Sequence, residues 1–491
     1  MFYNNIINPF IGSLQNYAEK DAFCIHGKFY KYVQLGEKVS RIRHFFQGDD
    51  KIIGLVINDD LETYASIFAL WLEGKCYVPL HPKWPLERCL DICEQVGMKT
   101  ILDSSETTRY ESFNVIDTTN LQNEGCLFEP KLNVPDDELA YILFTSGSTG
   151  KPKGVQLSRK NLASFVDAFF NIYSVDENDK CLQCFDLSFD LSIMSYLIPL
   201  LKGACVYTVP TDSIKYNYTA DLIEEQQLTF ALMAPSTIRY LKPYFDELDC
   251  SSLRYSLFCG EALHLDITKE WSECAKNAII DNVYGPTEDT IFCSTYRYNR
   301  GNANKAHNGV LSIGKPMKNC DMAIFDENNS ECPIGTIGEL CLSGHQLTMG
   351  YHNNISKNKE SFFIKDGIRW YHSGDLCYKD ADGDFMYIGR LDHQVKINGF
   401  RVELGEVEFH AKAFLEDKNV ICLAYDAKDN HTEIALFVES APFDHKSLES
   451  YMRTKIPAYM IPSQYVFVPT LPLNENGKID RKELKKSINN S

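Results

Sequence analysis

The chain has 491 residues, of which 44% are hydrophobic and 24% are charged; this is the balance of a globular protein and excludes a fibrous or disordered one. Its formal net charge of −18 argues against nucleic-acid binding, because phosphate contacts need clustered lysine and arginine. The N-terminus lacks a signal-peptide pattern and no apolar run reaches about 18 residues, so we expect a cytoplasmic protein without membrane insertion.

The cysteine pattern indicates reduced thiols. Seventeen cysteines are scattered along the chain, often inside apolar runs, and they do not form the spaced pairs of a disulfide framework. Cys181 and Cys184 have the spacing of a redox or zinc pair, but no matching second pair follows. We therefore expect a structural role for both.

The first clear unit of secondary structure is a β-α-β sequence. The run KIIGLVI predicts a strand, Asp60 is a suitable helix N-cap, Gly74 is a suitable helix stop, and KCYVPL predicts the next strand. The residues on the predicted buried face of the helix are Leu61, Tyr64, Ala65, Phe68 and Leu72.

Further along the chain, the runs FALMAPS, RYSLFCG and AIIDNVYG each predict an apolar strand that ends in small or polar residues. Alternation of such strands with helical patterns indicates an α/β fold with parallel strands. Because ligands bind at the carboxyl edge of parallel sheets, we expect the functional site at the ends of these strands.

The stretch ILFTSGSTGKPKG, residues 142–154, predicts a phosphate-binding loop. Its apolar flanks disfavour a flexible linker. It is not a Walker loop, because Thr145 stands where the first glycine belongs and Pro152 where serine or threonine belongs. Small residues, hydroxyls and two lysines nevertheless suit close contact with phosphate oxygens.

Five motifs follow one another in the order TSGSTGKPKG, NVYGPTE, YHSGDL, YIGRLDHQVKINGFRVELGE and LNENGKIDRKEL. In this order the chain resembles the adenylate-forming superfamily, and within it the amino-acid adenylation domains and the D-alanyl carrier protein ligases. The resemblance covers nearly the whole chain. It implies a large N-terminal domain over residues 1–391 with parallel-rich sheets, and a small mobile α+β domain over residues 392–491.

The resemblance also implies the reaction and its cofactors. A carboxylate attacks the α-phosphate of ATP in the presence of Mg²⁺, pyrophosphate leaves, and a thiol then takes the acyl group and releases AMP. The site needs donors and cations aimed at the phosphoryl oxygens, since one anion attacks another. The loop residues expected to hold the β and γ phosphates are Thr145, Ser146, Gly147, Ser148, Thr149 and Gly150.

Other nucleotide contacts are carried over from the motifs. Glu288 is the expected magnesium ligand, and Tyr284 is expected to stack on the adenine ring. Thr287 is expected to contact the α-phosphate. Asp375 is expected to accept hydrogen bonds from the ribose hydroxyls, with Arg390 assisting. The full set outside the loop is Asn282, Val283, Tyr284, Gly285, Pro286, Thr287, Glu288, Asp375, Tyr387, Ile388, Gly389, Arg390 and Lys478.

Lys478, in NENGKIDRK, is the expected catalytic residue of the adenylation step. A mobile point charge suits a bridge between the substrate carboxylate and the α-phosphate. Asp392 matches the family's hinge position, where backbone torsions change between the two steps. The resemblance places Gly399 on the thiol channel.

The tandem FDLSFDLS offers two aspartates for one role. The resemblance assigns Asp190 to the amino group of the substrate and leaves Asp186 a structural role. A buried, uncompensated anion costs several kcal/mol, so Asp190 favours an amino-acid substrate over a fatty acid.

The remaining pocket positions are apolar, so the substrate side chain is expected to be small or apolar. These positions are Leu191, Met194, Leu257, Cys259, Val283, Ile291 and Phe292. Because Cys259 resembles a cysteine that helps the D-alanyl ligases select the D-enantiomer, D-alanine is the favoured substrate.

We expect the acceptor to be the phosphopantetheine thiol of a separate carrier protein. A free thiol such as coenzyme A stays open as the acceptor. Three other functions also stay open: a ligase for another small or apolar amino acid, an acyl-CoA ligase, and a non-catalytic nucleotide-binding or scaffold protein.

Overall fold

The computed structural model describes residues 1–45, 50–121, 130–131, 133–147, 150–301, 303–391, 394–397, 399–416, 418–427, 432–472 and 479–488. Its α-helices are α1 Asn8–Asn16, α2 Tyr32–Arg43, α3 Leu61–Leu72, α4 Leu86–Gln95, α5 Arg159–Phe170, α6 Asp190–Leu200, α7 Lys215–Gln226, α8 Pro235–Leu241, α9 Leu265–Cys274, α10 Ile355–Ser361, α11 Leu404–Leu415, α12 Lys446–Arg453 and α13 Arg481–Ile488.

The strands β1 to β14 are Asp21–Ile25, Lys28–Lys31, Ile52–Val56, Cys76–Leu80, Thr100–Asp103, Asn114–Asp117, Leu139–Thr145, Lys153–Ser158, Lys180–Gln183, Cys205–Thr208, Phe230–Met233, Tyr255–Phe258, Ile279–Tyr284 and Ser294–Arg297. The strands β15 to β28 are Ala306–His307, Val310–Leu311, Lys315–Pro316, Cys320–Phe325, Gly338–Gly344, Gly350–Tyr351, Phe362–Lys365, Ile368–Lys379, Phe385–Arg390, Gln394–Ile397, Phe400–Glu403, Val420–Asp426, Thr432–Glu439 and Gln464–Val468.

The chain divides into two compact units. The first contains Met1–Pro82, Gln95–Leu143 and Gly154–Leu391, and the second contains Lys83–Glu94, Phe144–Lys153 and Asp392–Ser491. The second unit therefore includes two segments that the sequence assigned to the N-terminal domain. Among the described helices, none combines the length and the apolar character of a membrane-spanning segment.

The predicted β-α-β sequence forms β3, α3 and β4, with the two strands parallel. Asp60 accepts a hydrogen bond from the backbone N–H of Thr63 at 2.8 Å, and Gly74 has φ +70°, as the capping pattern predicts. The five residues predicted on one face of α3 are all buried, and so are its other residues except Glu62. Distant parts of the chain also cover residues outside that set: the ring of Phe2 lies 5.9 Å from the ring of Trp71, and Trp71 Nε1 donates to the backbone oxygen of Ala140 at 3.0 Å.

A nine-stranded sheet positions most of the candidate site. Its order is β17-β14-β13-β12-β11-β9-β10-β1-β2, and the six neighbours from β13 to β1 run parallel. The predicted strands FALM, YSLF and IIDNVY are its β11, β12 and β13. The expected α/β class is therefore confirmed, and the ends of these strands lie at one edge.

The first unit also contains a two-stranded sheet, β15-β16, and two larger sheets. A seven-stranded sheet has the order β20-β8-β7-β4-β3-β5-β6, and a five-stranded antiparallel sheet has the order β18-β19-β22-β21, with β23 paired to β22. Helices α3, α5 and α6 contribute to the large apolar core that joins these sheets.

The second unit has its own core. Strand β27 pairs antiparallel with β26 and parallel with β28. Side chains of α11, α12 and β24–β27 form one apolar cluster, and the last helix α13 packs in a smaller cluster on this sheet.

Candidate active site

The segment that leaves β13 turns back on itself. A Cβ at Gly285 would collide with the backbone of Phe292, so only glycine permits this close approach. The chain then makes a short 3-10 turn over Thr287–Asp289 and continues through Thr290 and Ile291, whose φ angles are +52° and +74°. A left-handed conformation is strained for β-branched residues, so surrounding contacts must hold this segment in place.

Those contacts come from the loop after β19. The fully buried Gln346 uses its side-chain amide Nε2 to donate to the carbonyl oxygens of Phe292 at 2.9 Å and of Asp289 and Thr290 at 3.2 Å each. The Thr290 hydroxyl donates in return to the backbone oxygen of Gln346. Sequence reasoning missed Gln346, because a single polar residue in a loop carries no periodic or motif signal.

Asp375 is placed by an irregularity in β22. Between the pairs Glu339–Leu376 and Cys341–His372 the register shifts, and Gly374 in this bulge has φ +75°. The Asp375 carboxylate accepts from Arg390 Nη1 at 2.9 Å and from the Tyr284 hydroxyl at 2.5 Å. The structure thus brings together three predicted nucleotide residues that lie far apart in the sequence.

Burial, and secondarily the charge of Asp375, raise the pKa of Tyr284 well above its ordinary value. Its hydroxyl therefore stays protonated and acts as a donor to Asp375. The neighbouring Asn282 donates to the backbone oxygen of Ser312 at 2.9 Å, and Val283 is buried. Tyr387, Ile388 and Gly389 lie on β23, in the strand that ends at Arg390.

Glu288 is fully buried and accepts a hydrogen bond from the Tyr351 hydroxyl at 2.6 Å. The backbone oxygen of the same residue accepts from the N–H of Thr348 at 2.8 Å. A carboxylate is the hard oxygen donor that Mg²⁺ prefers, and Mg²⁺ is commonly held by one protein carboxylate together with substrate phosphates. The donor chemistry of Glu288 thus fits the predicted metal.

Asp190 is the first residue of α6 and is 6% exposed. Burial raises the pKa of its carboxyl to about 6, although hydrogen bonding from Thr287 and from the backbone of Ile291 acts in the opposite direction. Among the described residues, its Oδ2 atom has no hydrogen-bond partner. A buried carboxylate oxygen without a donor is suited to receive one from a ligand.

The other aspartate of the tandem has the opposite environment. Asp186 Oδ2 lies 2.8 Å from His81 Nε2, and Asp186 Oδ1 accepts from the backbone N–H and the hydroxyl of Ser188. Burial alone would raise the pKa of Asp186, but these hydrogen bonds outweigh it and lower the pKa to about 2. Asp186 is thus fully engaged with protein groups.

The predicted apolar pocket residues are all buried, and the structure brings them into one core cluster with Tyr284. They are Leu191, Met194, Leu257, Cys259, Val283, Ile291 and Phe292.

The phosphate-loop residues that the structure describes lie in the second unit. Thr145 ends β7, and its buried hydroxyl has no hydrogen-bond partner within the described part of the chain. Ser146 donates to the backbone oxygen of Arg401 at 3.0 Å and accepts from the N–H of Glu403 at 3.1 Å.

The backbone of the same loop binds an anionic side chain. The Gly147 N–H donates to Glu406 Oε2 at 2.9 Å, while Glu406 Oε1 pairs with Arg88 Nη1 at 2.5 Å. Gly150 has φ +81°, and a Cβ there would collide with the ring of Phe409. Sequence reasoning missed Glu406, since its partners lie more than 250 residues earlier in the chain.

Four predicted residues lie outside the described residues: Ser148, Thr149, Asp392 and Lys478. Their assigned roles stay predictions.

Asp375 on the antiparallel sheet and Glu288 just after β13 are buried carboxylates, and the chain also carries a glycine-rich loop after β7. This combination is typical of an AMP-forming adenylating enzyme. Residues 12–352 match the AMP-binding enzyme family, to which the chain therefore belongs.

The resemblance to amino-acid adenylation domains is confirmed by the relatives. Zwittermicin A synthase ZmaJ of Bacillus cereus is 31% identical over 476 residues, which cover 92% of this chain and 89% of that protein. The Vibrio cholerae adenylation domain AlmE, solved with glycyl-adenosine-5'-phosphate, is 25% identical, has a TM-score of 0.86, and is aligned over 99% of this chain and 97% of its own.

Other relatives are much longer than this chain. Tyrocidine synthase 3 of Brevibacillus parabrevis is 31% identical over 90% of the chain, yet the match spans only 7% of that protein. The relatives named here do not show a particular similarity to the D-alanyl carrier protein ligases.

Proposed function

We propose that this chain uses ATP to convert an amino acid into its acyl-adenylate and then passes the acyl group to the phosphopantetheine thiol of a separate carrier protein. The observation that carries the proposal is Asp190 Oδ2, a buried carboxylate oxygen without a partner among the described residues. A substrate ammonium group supplies the missing donor and charge. A fatty acid leaves the buried anion uncompensated, which costs several kcal/mol.

In the first step a carboxylate oxygen of the substrate attacks the α-phosphorus, and the bond to pyrophosphate breaks. Glu288 would hold Mg²⁺, which would supply positive charge to the phosphoryl oxygens. Lys478 bridges the reacting groups. Support for an anion-binding loop comes from Gly147, whose N–H donates to the carboxylate of Glu406. In the second step the thiolate sulfur attacks the acyl carbon, and AMP leaves.

The proposed substrate is small and uncharged in its side chain, because every predicted pocket wall residue is apolar and buried. D-alanine is the first candidate, because Cys259 resembles the cysteine that helps the D-alanyl carrier protein ligases select the D-enantiomer. The AlmE complex with a glycyl adenylate supports glycine as the second candidate.

The test is amino-acid-dependent exchange of pyrophosphate into ATP, measured with glycine, both enantiomers of alanine, leucine and hexanoate. We expect exchange with one of the three small amino acids. Lys478→Ala is expected to lower the rate at least about 10²-fold, whereas Lys485→Ala, an exposed lysine of α13, is the matched control.

Two outcomes contradict the proposal. Exchange with hexanoate and with no amino acid assigns the chain to the acyl-CoA ligases. Failure of exchange with every acid, from a folded protein, points to a non-catalytic nucleotide-binding protein.

A further inference from the structure

Three side chains whose chemistry suits metal binding converge on the five-stranded sheet, outside the proposed nucleotide and amino-acid residues. Cys341 on β19 lies opposite His372 on β22 in the antiparallel register. Glu339 precedes Cys341 by two residues, and residues two apart in a strand share a face of the sheet. We refer to Glu339, Cys341 and His372 as the Glu–Cys–His triad.

The donor atoms of the triad lie within 4.8 Å of one another. Cys341 Sγ is 3.6 Å from His372 Nδ1, and Glu339 Oε2 is 2.7 Å from the same nitrogen. Zinc bonds of about 2.3 Å to sulfur and about 2.0 Å to nitrogen, at a tetrahedral angle, separate the two ligands by about 3.6 Å. The cysteine–histidine pair already has this separation, and only the glutamate–histidine hydrogen bond has to open, by about 0.6 Å.

We propose that the triad binds one zinc ion through Cys341 Sγ, His372 Nδ1 and Glu339 Oε2, with water as the fourth ligand. One thiolate and one carboxylate balance the two positive charges, and the imidazole binds in its neutral form. Binding moves the imidazole proton from Nδ1 to Nε2 and releases the thiol proton to solvent. Thiolate, imidazole and carboxylate are the three ligand types that zinc uses in proteins.

The surroundings orient the ligands. The second oxygen of Glu339 accepts from the N–H of Gly374 at 2.9 Å, which fixes the carboxylate and leaves Oε2 directed at the histidine. The ring of Phe363 lies 4.5 Å from the ring of His372. Cys341 is fully buried in a small apolar cluster with Phe325 and Trp370. Low local polarity strengthens ion–ligand attraction, and the partly exposed His372 and Glu339 leave an entry path.

The site also has a structural consequence. Zinc there ties β19 to β22 at the residue just before the bulge that carries Gly374 and Asp375. Because a ligand that binds only the folded state stabilises it, zinc is expected to raise the melting temperature.

To test the proposal, the full-length protein is first treated with a chelator and then titrated with Co²⁺, followed by Zn²⁺. We expect one equivalent of Co²⁺ with a thiolate-to-cobalt charge-transfer band, displaced by Zn²⁺ and unaffected by Mg²⁺. Cys341→Ser is expected to abolish the band, and His372→Gln and Glu339→Gln to weaken binding at least tenfold. Cys377→Ser removes a buried thiol of β22 outside the triad, and this control is expected to leave the band intact.

Absence of the charge-transfer band in the parent protein overturns the proposal. A band of equal intensity in Cys341→Ser also overturns it, because other cysteines then bind the metal. Thermal melting of each metal-free variant checks the fold. If Cys341→Ser does not fold, His372→Gln and Glu339→Gln serve as the test instead. Co²⁺ binding in these two variants that is as tight as in the parent protein contradicts the proposed site.

Discussion

The two aspartates of FDLSFDLS are expected to respond in opposite ways to the same substitution. Burial raises the pKa of Asp190 from its ordinary value of 3.8 to about 6. This difference corresponds to about 3 kcal/mol, at 1.36 kcal/mol per pKa unit. The ionised carboxylate therefore costs stability above about pH 6, and the cost disappears below pH 3.8, where both the folded and the unfolded states are protonated. Asp190→Asn is expected to raise the free energy of unfolding at pH 7.5 by up to about 3 kcal/mol.

Asp186 supplies the matched control. Its pKa is lowered to about 2, so its ionised form stabilises the fold above pH 3.8 and this contribution is lost as the pH falls toward 2. Asp186→Asn is expected to lower the free energy of unfolding at pH 7.5 by about 2 kcal/mol.

Thermal melting of the parent and both variants at pH 7.5 and pH 5 measures these effects. The gain of Asp190→Asn is expected to shrink at pH 5, while the loss in Asp186→Asn is expected to change little. A lower melting temperature for both variants at pH 7.5 refutes the reasoning, because it means that Asp190 is not an uncompensated buried anion.

Three further predictions concern activity and packing. Below about pH 6, kcat/KM for the amino acid is expected to fall up to tenfold per pH unit, because protonated Asp190 cannot pair with an ammonium group; a flat profile from pH 5 to pH 8 contradicts this. Gln346→Leu leaves three carbonyl oxygens without their donor and is expected to cost roughly 3 kcal/mol, seen as a lower melting temperature together with weaker exchange activity. Arg88→Leu leaves Glu406 as a buried unpaired charge and is expected to cost about 3–5 kcal/mol in denaturant unfolding. Adding Glu406→Leu is expected to restore part of that loss, and an additive further loss argues against the ion pair.

Local signals in the sequence were sufficient for the β-α-β unit. A capping aspartate, a stop glycine and two apolar runs predicted β3, α3 and β4 correctly. The all-round burial of α3 could not be predicted, because it depends on residues such as Phe2 and Ala140 that contact Trp71 from elsewhere in the chain. Periodicity describes one element at a time, whereas burial depends on everything that packs against it.

The motifs led to Tyr284, Asp375 and Arg390, which the structure joins by hydrogen bonds. They did not lead to Gln346 or Glu406. Each of these is a single polar residue whose role arises from backbone groups far away in the sequence, and such pairings leave no local pattern.

The central claim, that Asp190 receives the amino group of the substrate, is tested most directly by comparing an amino acid with its deamino analogue. Exchange rates are measured for the preferred small amino acid and for acetate or propionate, in the parent and in Asp190→Asn. The account predicts a preference for the amino acid on the order of 10⁴-fold in the parent, largely lost in the variant. An equal preference in both proteins, or none in the parent, contradicts it.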